Sequence, residues 1–246
     1  MKICIDAGHN GSGFDTGAIG VGGLLEQNVT FQIAKDLERI LNQSGIETVM
    51  TRKSEEENLG TDVPSSLRER VRLCNENRCD FFVSIHCNSG VPSANGTEVL
   101  IPARGGEAER VAELVIDSIC SRLNMSRRGV RVDTQYLGSK IYVLHNTDCP
   151  AILIETGFIT NPEEAKKLSE NAEEFALAIA SAFGAGGGKV AKFTDIEGHW
   201  AQIHIEKLAD YGIVNGFEDG SFRPDEPITR AAAAVMVSNA LSVLGK

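Results

Sequence analysis

Residues 79–89 read CDFFVSIHCNS, and this stretch decides which kind of fold the chain can form. Phe81, Phe82, Val83 and Ile85 form a short, nearly unbroken apolar run. A strand with apolar side chains on both faces needs cover on both faces, as in a parallel sheet with helices above and below it. The run then breaks into His86-Cys87-Asn88-Ser89, so a buried strand hands a histidine to a polar turn at its carboxyl end.

Two other segments repeat that theme. ICIDAGH, at 3–9, ends in His9, and AILIE, at 151–155, ends in Glu155. Further strands are expected at 46–52, 96–102, 139–147 (SKIYVLHNT) and 150–158 (PAILIETGF). Helical spacing alternates with them. Val29, Ile33, Leu37, Ile40 and Leu41 share one face of a helix over 28–43, with Asn28 as its N-cap and Gly45 as its stop. Helices are also expected over 65–77, 107–123 and 162–183, the last with Pro162 in its first turn. An acidic loop fills 53–64. Alternating strands and helices predict an α/β layer structure with a twisted, mostly parallel or mixed sheet.

Four glycines within GAGGGK, at 184–189, favour neither helix nor strand and read as a linker. The expected organisation is therefore a first domain over 1–183, a Gly-rich linker over 184–192 and a small all-helical module over 193–246. The module's helices are expected at 201–211 and 229–244, with Trp200, Ile203 and Leu208 packing against Val235, Met236 and Leu241. A core of that size is marginal alone.

Composition narrows the possible partners. The 246 residues carry a formal net charge of -10 and no basic stripe, which argues against a nucleic-acid binder. No apolar run reaches the length of a membrane span, so no membrane partner is expected. Met1-Lys2 leads straight into a strand pattern without an apolar signal segment, so synthesis in the cytoplasm without a signal peptide is expected. The six cysteines, at 4, 74, 79, 87, 120 and 149, include no CxxC pair. They read as reduced, structural residues, and a zinc ribbon is not expected.

The chemistry-bearing residues collect at one edge. Ligand sites in open α/β sheets form at the carboxyl ends of strands, where loops and helix N-termini converge. If their strands are parallel neighbours, His9, His86 and Glu155 share that edge, and Glu26 folds back to it after the glycine-rich loop. Two histidines and one carboxylate with an open fourth position suit a catalytic zinc. A second carboxylate beside them can take a proton from water and pass it to a leaving amine. A strand-end histidine is also a common turn residue, and a glutamate there can cap a helix, so spacing alone leaves both readings open. Asp6 could orient a ligand histidine or cap the turn. His145 could approach substrate or be an ordinary loop residue, and Asn88 and Asn161 could line a cleft or turn the chain.

Taken together, IDAGHNG (5–11), DTGAIG (15–20), LRERVRLCNE (67–76), DFFVSIHCNS (80–89) and PAILIETGFITN (150–161) resemble the zinc-dependent N-acetylmuramoyl-L-alanine amidases of the type-3 family. The resemblance runs in order over residues 2–183. It implies a twisted mixed sheet flanked by helices, of phosphorylase/hydrolase-like type. It also implies cleavage of the amide between N-acetylmuramic acid and L-alanine in peptidoglycan. Matched residue by residue, His9, Glu26 and His86 are the implied Zn2+ ligands and Glu155 the implied catalytic glutamate. Ala7 stands where the family usually has proline.

The tail resembles a single S-layer homology module, through FTD (193–195), HWA (199–201), GIVNG (212–216), DGSFRP (219–224) and ITRA (228–231). Such modules bind secondary cell-wall polymers, and the matching positions for that contact are Trp200 and Arg230. Ala232 replaces the glutamate that follows in the family motif, and Arg230 could instead pair with Asp225 or Glu226. Because these modules usually come in threes, one copy predicts a homo-oligomer built through the tail. The implied role is an endolysin or autolysin that reaches the wall after release. The alternatives are a wall-anchored binding protein without catalysis and a zinc hydrolase of another amide.

Overall fold

The computed structural model describes residues 1–185, 193–217 and 219–244 of the chain. The chain divides into two compact units, Met1–Gly186 and Gly187–Lys246. The expected linker falls largely on 186–192, outside the described residues, while Ala185 is still buried in the core of the first unit.

The first unit is built on a six-stranded mixed sheet. Its strands are β1 (Lys2–Ala7), β2 (Glu47–Met50), β3 (Phe81–Asn88), β4 (Thr97–Ile101), β5 (Arg127–Val132) and β6 (Ala151–Phe158). Their spatial order is β2-β1-β3-β6-β4-β5. β1 is parallel to β2 and β3, β3 to β6, and β4 to β5, while β4 meets β6 antiparallel. The three strands that carry His9, His86 and Glu155 are thus parallel neighbours.

Alternation along β1 assigns the two faces. Ile3 and Ile5 join the larger core with α1 (Glu26–Gln43), α3 (Glu107–Leu123) and α7 (Ala172–Ser181). Cys4 joins a smaller core on the other face with Val71 and Cys74 of α2 (Val63–Glu76) and Val143 and Leu144 of α5 (Tyr142–Asn146). The short helix α4 (Asp133–Leu137) and α6 (Pro162–Glu170) complete the unit. No helix among the described residues is long and apolar enough to cross a membrane.

Several elements differ from expectation for identifiable reasons. SKIYVLHNT forms α5, not a strand. The buried Asp133 carboxylate accepts from Ile141 N at 2.7 Å and pairs with His145 Nε2 at 2.9 Å, closing the segment into a turn. This also settles His145 as a local anchor. β5, RRGVRV, was not expected, because arginines interrupt its alternation. As an edge strand it needs charge to discourage further pairing, and Arg127 meets Asp117 while Arg128 and Arg131 meet Glu98. The helix expected over 162–183 breaks at Asn171 (φ -126°, ψ 34°) into α6 and α7. α1 starts at Glu26 rather than after Asn28, with Leu25 at the cap. α2 starts earlier as well, at Val63, because Asp62 and Ser65 form a reciprocal capping box around Val63 and Pro64.

The second unit carries α8 (Gln202–Asp210) and α9 (Arg230–Leu244). Its core is Phe193, Ile196 and Ile205, with Ala201, Ala209 and Phe222 packed against it. The expected packing of Trp200 against Val235 and Leu241 does not form. All three are exposed, at 84%, 58% and 65%, and the Ile203 side chain lies outside the described residues. Phe193 and Phe222 take that place because the Asp195 carboxylate accepts from both Phe222 N and Arg223 N at 2.7 Å. That clamp folds the DGSFRP loop onto the FTD segment.

Candidate active site

The site begins with backbone conformation. After β1, Gly8 packs so tightly on β3 that a Cβ there would lie 2.6 Å from both Ile85 O and His86 Cε1. His9 then adopts φ 67°, a left-handed conformation uncommon for a side-chain-bearing residue. Gly17 is held at φ 75°, where a Cβ would strike Glu26 Oε2 and His9 Cδ2, each at 2.7 Å. Only glycine lets the loop pass that close to the two side chains.

Two buried arginines hold this turn. Arg70, from α2, donates to Asp6 Oδ1 at 2.6 Å, to Ala7 O at 2.8 Å and to His9 O. Arg52, beyond β2, donates to Gln27 O at 2.8 Å and, at longer range, to Ala7 O and Gly8 O. Burial pushes the Arg52 pKa down to about 10, with the Arg70 charge adding to the effect. Asp6 neither orients a ligand histidine nor caps the turn. It accepts from Thr51 Oγ1, Ser84 Oγ and Arg70. Burial alone would raise its pKa, but the Arg70 charge and the two hydroxyls outweigh that and hold it below the usual carboxylate range.

On this platform three side chains meet. Glu26 Oε1 lies 3.0 Å from His9 Nε2 and 3.2 Å from His86 Nδ1, and the two ring nitrogens are 3.1 Å apart. Each offers a ligand atom, and these atoms all lie within 4.8 Å of one another. Tetrahedral zinc with bonds of about 2.0–2.1 Å to nitrogen and oxygen needs donor–donor spacings of about 3.3–3.4 Å. The observed triangle fits such an ion after a slight opening. Glu26 is also placed by its neighbours, since Ala18 N and Cys87 N donate to its two oxygens at 2.8 and 2.9 Å. Burial works to raise its pKa, but the bonds to His86 and His9 prevail and hold it well below the usual range. Burial likewise works to lower the His9 pKa, yet Asp15 and Glu26 raise it to about 9.

Glu155 stands next in line. In the β3–β6 register it is the partner of His86, and in the β4–β6 register that of Glu98. Its Oε2 is one of two buried side-chain polar atoms that lack a hydrogen-bond partner among the described residues. Burial pushes its pKa up to about 7, against the opposing pull of His86.

Sequence reasoning overlooked Asp15, whose Oδ1 lies 2.7 Å from His9 Nδ1. Its signal was the DTG tripeptide, in which a polar residue precedes a glycine that must turn. Arg52, Arg70 and Thr51 were overlooked too. Asn161 caps α6 through Glu163 N and Glu164 N, and Asn88 donates to Glu98 Oε1 at 2.7 Å. In the second unit, Arg230 opens α9 on an exposed surface, and Trp200 lies beside His199 with ring centroids 5.6 Å apart. No hydrogen bond, ion pair or ring contact joins Trp200 to Arg230 among the described residues. The carboxylates suggested for Arg230 pair elsewhere, Asp225 with His199 at 3.4 Å and Glu226 with Arg223 at 3.9 Å.

Residues 3–185 match the family model for N-acetylmuramoyl-L-alanine amidase. The chain belongs to this amidase family. Residues 192–234 match the model of the S-layer homology domain. The chain is 34% identical over 178 residues to the germination-specific N-acetylmuramoyl-L-alanine amidase of Bacillus subtilis, covering 68% of this chain and 71% of that one. It is 35% identical over 171 residues to N-acetylmuramoyl-L-alanine amidase LytC of the same organism, but that match spans only 31% of LytC. Among solved structures, N-acetylmuramoyl-L-alanine amidase AmiC2 of Nostoc punctiforme aligns with a TM-score of 0.63 at 33% identity. That alignment covers 74% of this chain and 94% of AmiC2.

Proposed function

We propose that this amidase hydrolyses, with zinc, the amide bond between N-acetylmuramic acid and L-alanine of bacterial peptidoglycan. The observation that carries the reading is the convergence of His9 Nε2, Glu26 Oε1 and His86 Nδ1, together with a buried Glu155 oxygen that lacks a partner among the described residues. The names borne by the relatives supply the substrate. Bound zinc supplies Lewis acidity towards a carbonyl oxygen and a water molecule.

The chain's own residues do the rest. Asp15, on Nδ1 of His9, turns Nε2 towards the ligand triangle and fixes the ring. Cys87 N and Ala18 N hold the Glu26 carboxylate in place. Glu155, ionised, accepts a proton from the attacking water and then delivers it to the nitrogen of the departing L-alanine. A carboxyl with a pKa near neutrality suits both transfers.

In this reading, residues 1–183 are the catalytic domain, 184–192 the linker and 193–246 a wall-binding module. Trp200 and Arg230 then contact an anionic wall polymer, and the enzyme works on the cell wall. The exposed Val235, Val237 and Leu241 of α9 favour self-association through this module. Light scattering that finds only monomer at high concentration would rule that out.

Digestion of purified peptidoglycan, followed by mass spectrometry, tests the activity. New L-alanine amino termini beside intact N-acetylated muramic acid are expected. Release of acetate, or cleavage between amino acids, would point to another amide, and binding without any cleavage would point to a wall anchor.

A further inference from the structure

A second group of side chains that could hold a metal ion lies in the smaller core, on the face of the sheet covered by α2 and α5. Cys4 is in the middle of β1, Cys74 near the end of α2 and Cys79 in the turn into β3, and all three are buried. Their sulfur atoms lie within 4.8 Å of one another. Cys149, half-buried in the turn before β6, brings its Sγ to 3.6 Å from that of Cys74. Three sulfurs therefore meet at one place, and Cys149 reaches them through Cys74. The surrounding core is apolar, with Phe82, Leu100, Leu144 and Leu153 among its members.

The spacing discriminates between uses of these thiols. A disulfide joins only two sulfurs, at about 2.05 Å, and would leave the other pair unexplained. Zinc held by four thiolates has bonds of about 2.3 Å, which sets sulfur–sulfur edges of about 3.8 Å. The Cys74–Cys149 separation is close to that edge.

We propose that Cys4, Cys74, Cys79 and Cys149 form a closed structural zinc site, separate from the histidine–glutamate site. Each coordinating thiol gives its proton to solvent, and the half-exposed Cys149 side offers the ion its way in. Four protein donors leave no open position, so the site's role is to fasten chain segments together. It ties α2 to β1 and to the turn before β6. Because α2 also carries Arg70, the site braces the helix whose guanidinium grips the His9 loop.

Cobalt is the informative probe, since thiolate ligation gives an intense sulfur-to-metal charge-transfer band that a histidine–carboxylate site cannot produce. The full chain, purified under reducing conditions and stripped of metal, is titrated with Co2+ and then with Zn2+. The expected result is two metal equivalents per chain and a charge-transfer band that His86→Ala retains. Cys74→Ser removes the band and one equivalent. If Cys74→Ser fails to fold, wild type and His86→Ala still decide the matter. A single equivalent without the band overturns the proposal. So does a Cys74–Cys149 disulfide, found as a two-proton mass deficit in protein purified without reductant and regained on reoxidation in the presence of zinc.

Discussion

Below the His9 loop, the buried carboxylate of Asp6 accepts from Arg70, Thr51 and Ser84, and Arg70 also donates to the carbonyls of Ala7 and His9 and to Ser66 Oγ. Above the loop, the carboxylate of Glu155 keeps one buried oxygen without a hydrogen-bond partner among the described residues. Both groups cost desolvation energy, but among the described residues only the first is fully compensated. A polar cluster whose members satisfy one another fixes geometry. One left with an unpaired oxygen beside three converging ligand atoms keeps free energy in reserve for what binds there. The lower cluster is thus the platform and the upper one the chemistry, and substitutions in the two should fail in different ways.

The largest contrast is expected at Glu155. Glu155→Gln retains shape but cannot take a proton, so peptidoglycan hydrolysis should fall by about 10²–10⁴-fold. Zinc content, read by elemental analysis, should stay at the wild-type level, and thermal stability should not fall. Loss of the metal along with the activity would put Glu155 among the ligands and erase the distinction. Arg70→Met is the opposite experiment. It leaves Asp6 as a buried charge without its ion-pair partner and should cost about 3–5 kcal/mol in denaturant unfolding. A loss below about 1 kcal/mol would mean that the lower cluster is not what holds the turn.

Titration sharpens the comparison further. In the metal-free protein, the folded-state pKa of Glu155 is raised from 4.5 to about 7 by burial. Between those values the native state binds the proton and the unfolded state has lost it, so stability falls as pH rises. The contribution is fully present below about 4.5 and gone above about 7. A shift of this size is on the order of 3 kcal/mol. Subtracting the Glu155→Gln stability curve from that of wild type, both metal-free, should isolate this slope. A flat difference from pH 4.5 to 7 would show that the carboxylate is solvated.

What could be read from the sequence followed the same division. His9, His86 and Glu155 were legible because each closes an apolar run, and a polar residue there stands out against its strand. The α/β order was legible because strand runs and helical spacing alternate. The platform was not. Arg52 and Arg70 sit among acidic or amphipathic residues, where an arginine looks solvated, and only tertiary packing puts them inside. β5 was hidden by its arginines, and α5 passed for a strand because Asp133, which closes it, lies eight residues before Ile141. The cysteine cluster carries no CxxC pair, since Cys74 and Cys79 are five residues apart and Cys4 and Cys149 join them from distant parts of the chain.

Asp15 tests the boundary between platform and chemistry, because it belongs to neither cluster and touches His9, a ligand in the proposed reading. Its Oδ1 lies 2.7 Å from His9 Nδ1, and Asp15 itself adopts φ 57°. Asparagine suits that backbone conformation, so Asp15→Asn should leave the loop in place. It removes the charge that favours a hydrogen on Nδ1 and a free lone pair on Nε2. Partners of this kind are worth about 10–100-fold in metal affinity. Competition with a chelator should therefore show zinc held about 10–100-fold more weakly, with unfolding of the metal-free protein little changed. Asp15→Ala should weaken zinc further, since it also loses the acceptor. If both variants bind zinc as wild type does, the turn alone orients His9, and the arginines below it do all of the positioning.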